Sequence, residues 1–95
     1  MLTSTKEMLE IAQKYSYAVG AFNLYNLEGV KAVVNAAEAD NSPAIIQILP
    51  HILKYGGSPL VALFLEAADS ASVPMAVHLD HCEDPDIIEA ALEAG

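Results

Sequence analysis

The stretch MAVHLDH, residues 75–81, is an apolar run that ends abruptly in carboxylate and imidazole side chains. Its length, its continuity and its flanking Val73-Pro74 are typical of a β-strand that is buried on both faces of a parallel sheet. Polar residues that directly follow such a strand lie at its carboxyl end, where parallel α/β folds gather their functional loops. The stretch therefore predicts both a central strand and a candidate site.

Two earlier stretches have the same apolar character, AVGAF at residues 18–22 and AIIQI at residues 44–48, and we predict a buried strand for each. Helical signals separate the strands. A capping box of Ser4 and Glu7 opens a helix that should end near Tyr15. Further predicted helices begin at residue 27, at residue 59 and at residue 85, and a loop containing GG at residues 56–57 precedes the third helix.

The predicted order is one helix followed by three strand–helix units, which indicates an α/β fold with a parallel sheet covered by helices. Three units alone do not distinguish an open doubly wound sheet from a (β/α)8 TIM barrel. Because a barrel takes about 250 residues, residues 1–95 would form roughly its first third. The first strand is not followed by a Gly-x-Gly-x-x-Gly stretch, which disfavours a dinucleotide-binding fold.

Composition limits the classes of function. Of 95 residues, 54% are hydrophobic, more than so small a domain can cover, so we expect apolar faces to pack against missing neighbours. The net charge of −9 argues against nucleic acid and anionic membranes as partners. A single cysteine, Cys82, excludes an internal disulfide and fits a reducing compartment. Without a secretory signal or a membrane-length apolar segment, a cytoplasmic protein is expected.

Three loops follow the predicted strands, and the third, DHCED at residues 80–84, is the most informative. Strand alternation places His78 and Asp80 on one face, with His81 just past the edge. A neutral imidazole is a good zinc ligand, and a neighbouring carboxylate can serve as a general acid or base. Simpler roles stay open: Asp80 as a turn cap, His78 as a hydrogen-bonded core residue, and the small Cys82 as ordinary packing.

The next two residues of that loop, Glu83 and Asp84, precede a predicted helix. We interpret them as dipole and cap residues rather than as ligands.

The motif HLDH at residues 78–81 resembles the His-x-Asp-His motif on the third strand of class II fructose-bisphosphate and tagatose-bisphosphate aldolases. The resemblance continues, in order and at the family's spacing, over essentially the whole chain. It includes the following stretches: YAVGAFN at 17–23, NLE at 26–28, NSPAIIQ at 41–47, LKYGG at 53–57 and SVPMAV at 72–77.

The resemblance implies a (β/α)8 barrel and a lyase that cleaves a ketose bisphosphate to dihydroxyacetone phosphate and an aldehyde. It implies that His81 is a zinc ligand and that Asp80 is the acid/base that moves the proton of the hydroxyl next to the breaking bond. Zinc would polarise the ketone and hold the enediolate. Asn23 corresponds to an active-site asparagine that binds substrate. A homo-oligomer is implied as well.

Two departures from the family pattern matter. Leu49 stands where many members carry a substrate-contacting serine, which leaves fructose, tagatose or another ketose open as the substrate. The other zinc-binding histidines and the phosphate-binding loops lie on later strands. We therefore expect a fragment that alone neither binds zinc tightly nor cleaves substrate. Alternatives are a catalytically silent aldolase-like module or a truncated, non-functional product and, less favoured, another metal-dependent barrel enzyme.

Overall fold

Seven elements alternate along the chain in the computed structural model, which describes residues 1–95. They are α1 (Thr5–Tyr15), β1 (Gly20–Asn23), α2 (Leu27–Ala39), β2 (Ala44–Ile48), α3 (Pro50–Ser70), β3 (Met75–Leu79) and α4 (Pro85–Glu93). The three strands form one parallel sheet in the order β1-β2-β3. The predicted order of one helix and three strand–helix units is confirmed.

The first helix begins and ends where the sequence predicts. The Glu7 backbone N–H donates to Ser4 Oγ over 3.2 Å, and the Ser4 hydroxyl donates to Glu7 Oε2 over 3.0 Å. The first of these bonds satisfies a backbone donor that the first helical turn leaves without an internal partner, and the second links the two side chains. After Tyr15 the chain turns at Ser16, which takes the left-handed conformation with φ 58°.

The two faces of the sheet are covered unequally. On one face, α2 and α3 bury the main core, in which Ile46, Phe64 and Met75 have no exposed surface. On the other face, Met8 of α1 packs on Ile45 and its neighbours near the amino-terminal ends of the strands. The carboxyl-terminal half of that second face is left open, and this is the half that bears the polar side chains described below.

The prediction for the first strand is wrong in its bounds and in its burial. The strand is Gly20–Asn23 rather than residues 18–22, and all four of its residues are exposed, Phe22 by 47%. The reason is positional, since β1 pairs only with β2 and is an edge of the sheet. The sequence has the apolar character of a central strand, but no second neighbour and no helix covers it within these 95 residues.

The predicted break at residues 56–57 is confirmed only at Gly57, and the helical segment that precedes it was not predicted, because α3 begins directly after β2. Pro50 is at the start of the helix and Leu49 precedes it in an extended conformation, φ −79° and ψ 149°. The helix is kinked at Gly57, whose φ of 60° and ψ of −160° suit glycine almost alone. The predicted helix start at Ser58-Pro59 therefore corresponds to the second of the two helical segments that the kink at Gly57 separates. None of the four helices is both long and apolar enough to cross a membrane.

A carboxylate links α2 to the segment between α3 and β3. The backbone N–H of Ser72 donates to Glu38 Oε1 over 2.7 Å, and its hydroxyl donates to the same atom over 2.9 Å. The backbone bond, followed by the hydroxyl bond, lowers the pKa of the Glu38 carboxyl from its usual value of 4.5. The contact thus fixes the turn that leads into β3 more firmly when Glu38 is ionised.

Candidate active site

A row of polar side chains crosses the sheet at the carboxyl ends of its strands. In the parallel register, Asn23 of β1 pairs with Gln47 of β2, which in turn pairs with His78 of β3. Because side chains in register on neighbouring strands point to the same side, these three lie together on one face. The preceding row on that face contains Ile45 and Ala76 and is apolar. The open face therefore changes from apolar to polar toward its carboxyl edge.

Asp80 lies one step beyond this row. Its backbone N–H donates to the carbonyl of Ile48 over 2.9 Å, which extends the β2–β3 ladder past the end of β3. The same extension occurs at β1, where the backbone N–H of Leu24 donates to the carbonyl of Gln47 over 3.1 Å. Both strand ends are thus held to β2, and Asp80 has a fixed backbone from which its carboxylate projects.

The Asp80 carboxylate lies between two imidazoles. Its Oδ1 is 3.7 Å from His78 Nε2, and its Oδ2 is 3.7 Å from His81 Nε2. The Asp80 side chain is 21% exposed, against 42% for His78 and 85% for His81. His81 has φ 51°, so the chain turns sharply there and carries its imidazole out toward solvent. The three side chains form a half-open polar edge in which only His81 is fully accessible.

This arrangement fits part of a metal site. Structural and catalytic zinc sites take three or four ligands that converge on one point. The His78 and His81 nitrogens instead face opposite oxygens of Asp80, and no group of three or more potential ligands is placed to hold an ion. His81, exposed and in a turn, is well suited to be one ligand. A metal ion bound by His81 would need further donors from outside these 95 residues.

Other residues named from the sequence have structural roles. Asp84 Oδ1 accepts the backbone N–H of Asp86 over 3.0 Å and caps α4, as predicted. The Cys82 thiol is partly buried, and its Sγ lies 3.5 Å from the carbonyl oxygen of Asp84, so it contributes to the same turn. Leu49 precedes α3 and makes no side-chain capping bond.

Gln47 is the member of the polar row that sequence reasoning missed. It lies inside an otherwise apolar strand, half-buried, between Asn23 and His78. A lone amide in such a strand is the available signal, because burial of an unpaired polar group is unfavourable and indicates a functional or hydrogen-bonded position. Of the residues predicted for the site, the structure brings Asp80 and His81 into contact and places Asn23 on the same face as His78.

A model of the class II fructose-bisphosphate aldolase family matches residues 3–95. The fructose-bisphosphate aldolase of Thermus caldophilus is 40% identical over 95 residues, which cover 100% of this chain and 31% of that protein. The sulfofructosephosphate aldolase of Alkalicoccus urumqiensis is 40% identical over 93 residues, which cover 97% of this chain and 32% of that protein. The chain thus spans about a third of the length of the curated relatives it matches.

The fold, like the sequence, is similar to that of an aldolase. The crystal structure of the YdjI aldolase from Escherichia coli K12 superposes with a TM-score of 0.92 at 29% identity, over 100% of this chain and 38% of that one. This likeness to an aldolase agrees with the predicted fold, a leading helix and the first three βα units of a (β/α)8 barrel.

Proposed function

This chain belongs to the class II fructose-bisphosphate aldolase family, and we propose that it is the first part of a zinc-dependent lyase. The proposed reaction cleaves a ketose 1,6-bisphosphate into dihydroxyacetone phosphate and an aldehyde. The observation that supports the proposal best is the edge formed by Asp80 and His81. There, a partly shielded carboxylate lies beside an exposed imidazole at the carboxyl end of a parallel strand.

Asp80 is the proposed acid/base. Its carboxylate accepts the proton of the substrate hydroxyl on the carbon next to the breaking bond. The electrons of that O–H bond become the carbonyl of the departing aldehyde, and the electron pair of the broken carbon–carbon bond stays with the ketone-derived half. That half takes up a proton to give dihydroxyacetone phosphate. The backbone bond from Asp80 to Ile48 supports this role, because it holds the backbone of Asp80 at the end of β3.

His81 is the proposed zinc ligand within these residues. When bound, zinc supplies Lewis acidity at the substrate carbonyl, which favours the loss of the neighbouring bond. Asn23 is proposed to bind substrate, because it ends β1 on the face that carries Gln47 and His78. The chain has four lysines and no arginine, and no lysine lies in this polar row, so we propose that backbone N–H groups, the metal or other parts of the protein hold the phosphate groups.

We propose the class of the substrate, a ketose bisphosphate, and not the individual sugar. Two relatives that are equally identical to this chain act, by their names, on fructose bisphosphate and on sulfofructose phosphate. Overall identity therefore does not select between such substrates. Leu49, which offers no hydrogen bond at the end of β2, favours a difference at the neighbouring part of the substrate. We also propose a cytoplasmic homo-oligomer, from the lone cysteine and from the family.

A second candidate is an aldolase-like module without catalysis, which Leu49 favours and the adjacent Asp80 and His81 disfavour. A chimera decides between the two. Residues 1–95 replace the matched region of the Thermus caldophilus aldolase, which supplies the remaining part of the barrel, and cleavage of fructose 1,6-bisphosphate is measured.

We expect the chimera to cleave the substrate and Asp80→Ala to lower that activity by several orders of magnitude, to a small residual rate. Val77→Ala, a neighbour on the opposite face of β3, is the matched control. It should lower stability and leave turnover intact. A folded, inactive chimera would favour the silent module. The isolated 95-residue chain is expected to show neither tight zinc binding nor cleavage.

A further inference from the structure

We infer that His78 is a positioning residue that orients the Asp80 carboxylate for proton transfer. The inference rests on the proposed function, because it gives His78 a task only if Asp80 moves a proton. It assigns to the first imidazole of the motif a role separate from that of the second, His81.

The first step of the argument is the environment of the carboxylate. Asp80 has a fixed backbone, but the carboxylate itself rotates about its own side-chain bonds. Its only charged or ionisable contacts are His78 Nε2 on one oxygen and His81 Nε2 on the other, each at 3.7 Å. An N–H···O hydrogen bond is about 2.9–3.0 Å long, so a small side-chain rotation converts either contact into a bond.

The second step is that the two imidazoles are not equivalent. His78 belongs to β3 and is held in register beside Gln47. His81 lies in a turn with φ 51°, and its side chain is 85% exposed. A group on a strand holds a partner in place better than a group on an exposed turn. An imidazole nitrogen that binds a metal also no longer carries a proton to donate, which would leave His78 as the remaining donor.

Two other roles for His78 are less consistent with the geometry. A core histidine would lie among apolar side chains, whereas His78 lies in the polar row with Asn23 and Gln47, beyond the apolar row of the same face. A zinc ligand would point to the same spot as His81, whereas the two nitrogens approach opposite oxygens of Asp80. The contact between His78 Nε2 and Asp80 Oδ1 is thus the interaction that indicates a role for the His78 side chain.

The direct test is the side-chain rotamer of Asp80 in the 95-residue chain, measured by NMR scalar couplings about χ1. We expect one dominant rotamer in the unaltered chain, rotamer averaging in His78→Phe, and no change in His81→Phe. His78→Gln should retain the single rotamer, because its terminal amide nitrogen reaches about as far as Nε2. His51→Phe, at an exposed position in α3, is the matched control. Averaging in His81→Phe but not in His78→Phe would overturn the inference.

Kinetics of the chimera provide the second test. His78→Phe should lower kcat by about 10- to 100-fold, the usual effect of removing a group that orients a catalytic side chain. KM and zinc content should stay unchanged, and His78→Gln should restore most of the rate. In an Asp80→Ala background, His78→Phe should cause no further loss.

The outcomes of these experiments distinguish a failure of the inference about His78 from a failure of the proposed function. Loss of zinc in His78→Phe would make His78 a ligand, and an equal loss of rate with and without Asp80 would give it an independent role. Either result contradicts the inference. If the unaltered chimera folds and is inactive, the proposed function fails, while the rotamer of Asp80 still decides whether His78 positions it.

Discussion

Truncating Ile46 tests where the core of this chain lies. Ile46 has no exposed surface and lies in the middle of the central strand, beneath α2 and α3. Ile46→Ala removes three buried carbons, about 2.4 kcal/mol of transfer free energy at about 0.8 kcal/mol per carbon. With the cavity that remains, we expect a loss of about 3–4 kcal/mol in the free energy of unfolding.

Phe22→Ala is the matched comparison on the neighbouring strand. Removing a fully buried phenylalanine costs about 3–5 kcal/mol. Because Phe22 is 47% exposed here, we expect about 2 kcal/mol in the 95-residue chain. In the chimera, where further strands and helices complete the barrel, the cost should rise to the full range, while that of Ile46→Ala should stay nearly constant.

The assay is urea unfolding followed by far-UV circular dichroism, with the m-value checked for each variant. A chain variant that is already unfolded without urea gives a lower bound, and the chimera then gives the value. The reasoning would be refuted if Phe22→Ala cost as much as Ile46→Ala in the chain alone. It would also be refuted if the cost of Phe22→Ala did not increase in the chimera.

Three further predictions concern stability. The lowered pKa of Glu38 means that its bonds to Ser72 stabilise the fold fully above the unfolded pKa near 4.5 and that this contribution is lost as pH falls through the folded value. Urea midpoints across this range should therefore depend less on pH in Glu38→Gln, and an unchanged dependence would count against the contact. Gly57→Ala should destabilise the chain by about 1–3 kcal/mol because its φ is +60°, unless the kink of α3 straightens, which a crystal structure of the variant would reveal. Asn26 Oδ1 accepts the backbone N–H of Gly29 over 2.9 Å, so Asn26→Ala should cost about 1 kcal/mol, whereas Asn26→Ser should cost little by the same unfolding assay.

The elements that were predictable from sequence are those whose signals are local. β3 and α1 were placed correctly because an apolar run between proline and polar residues, or a capping box, depends only on neighbouring residues. The start of α3 was missed although its signal was local too. Pro50 is suited to a first helical position, but the two glycines that follow were interpreted as a loop rather than as a single kink in a continuing helix.

The exposure of β1 was not predictable in the same way. Whether an apolar strand is central or at an edge depends on which neighbours are present, and the sequence of Gly20–Asn23 carries no record of that. At the site, the motif indicated Asp80 and His81, and strand alternation placed His78 with Asp80. The position of Gln47 between Asn23 and His78 required the register between strands, which is a tertiary property.

The most direct test of the central claim is the zinc content of the chimera, measured by elemental analysis after dialysis against a weak chelator. If His81 is a ligand in an aldolase site, the chimera should retain about one zinc ion per chain with measurable cleavage, and His81→Ala should lose both. His51→Ala should lose neither. Full zinc content in a folded His81→Ala chimera would contradict the assignment of this residue and of the site built around it.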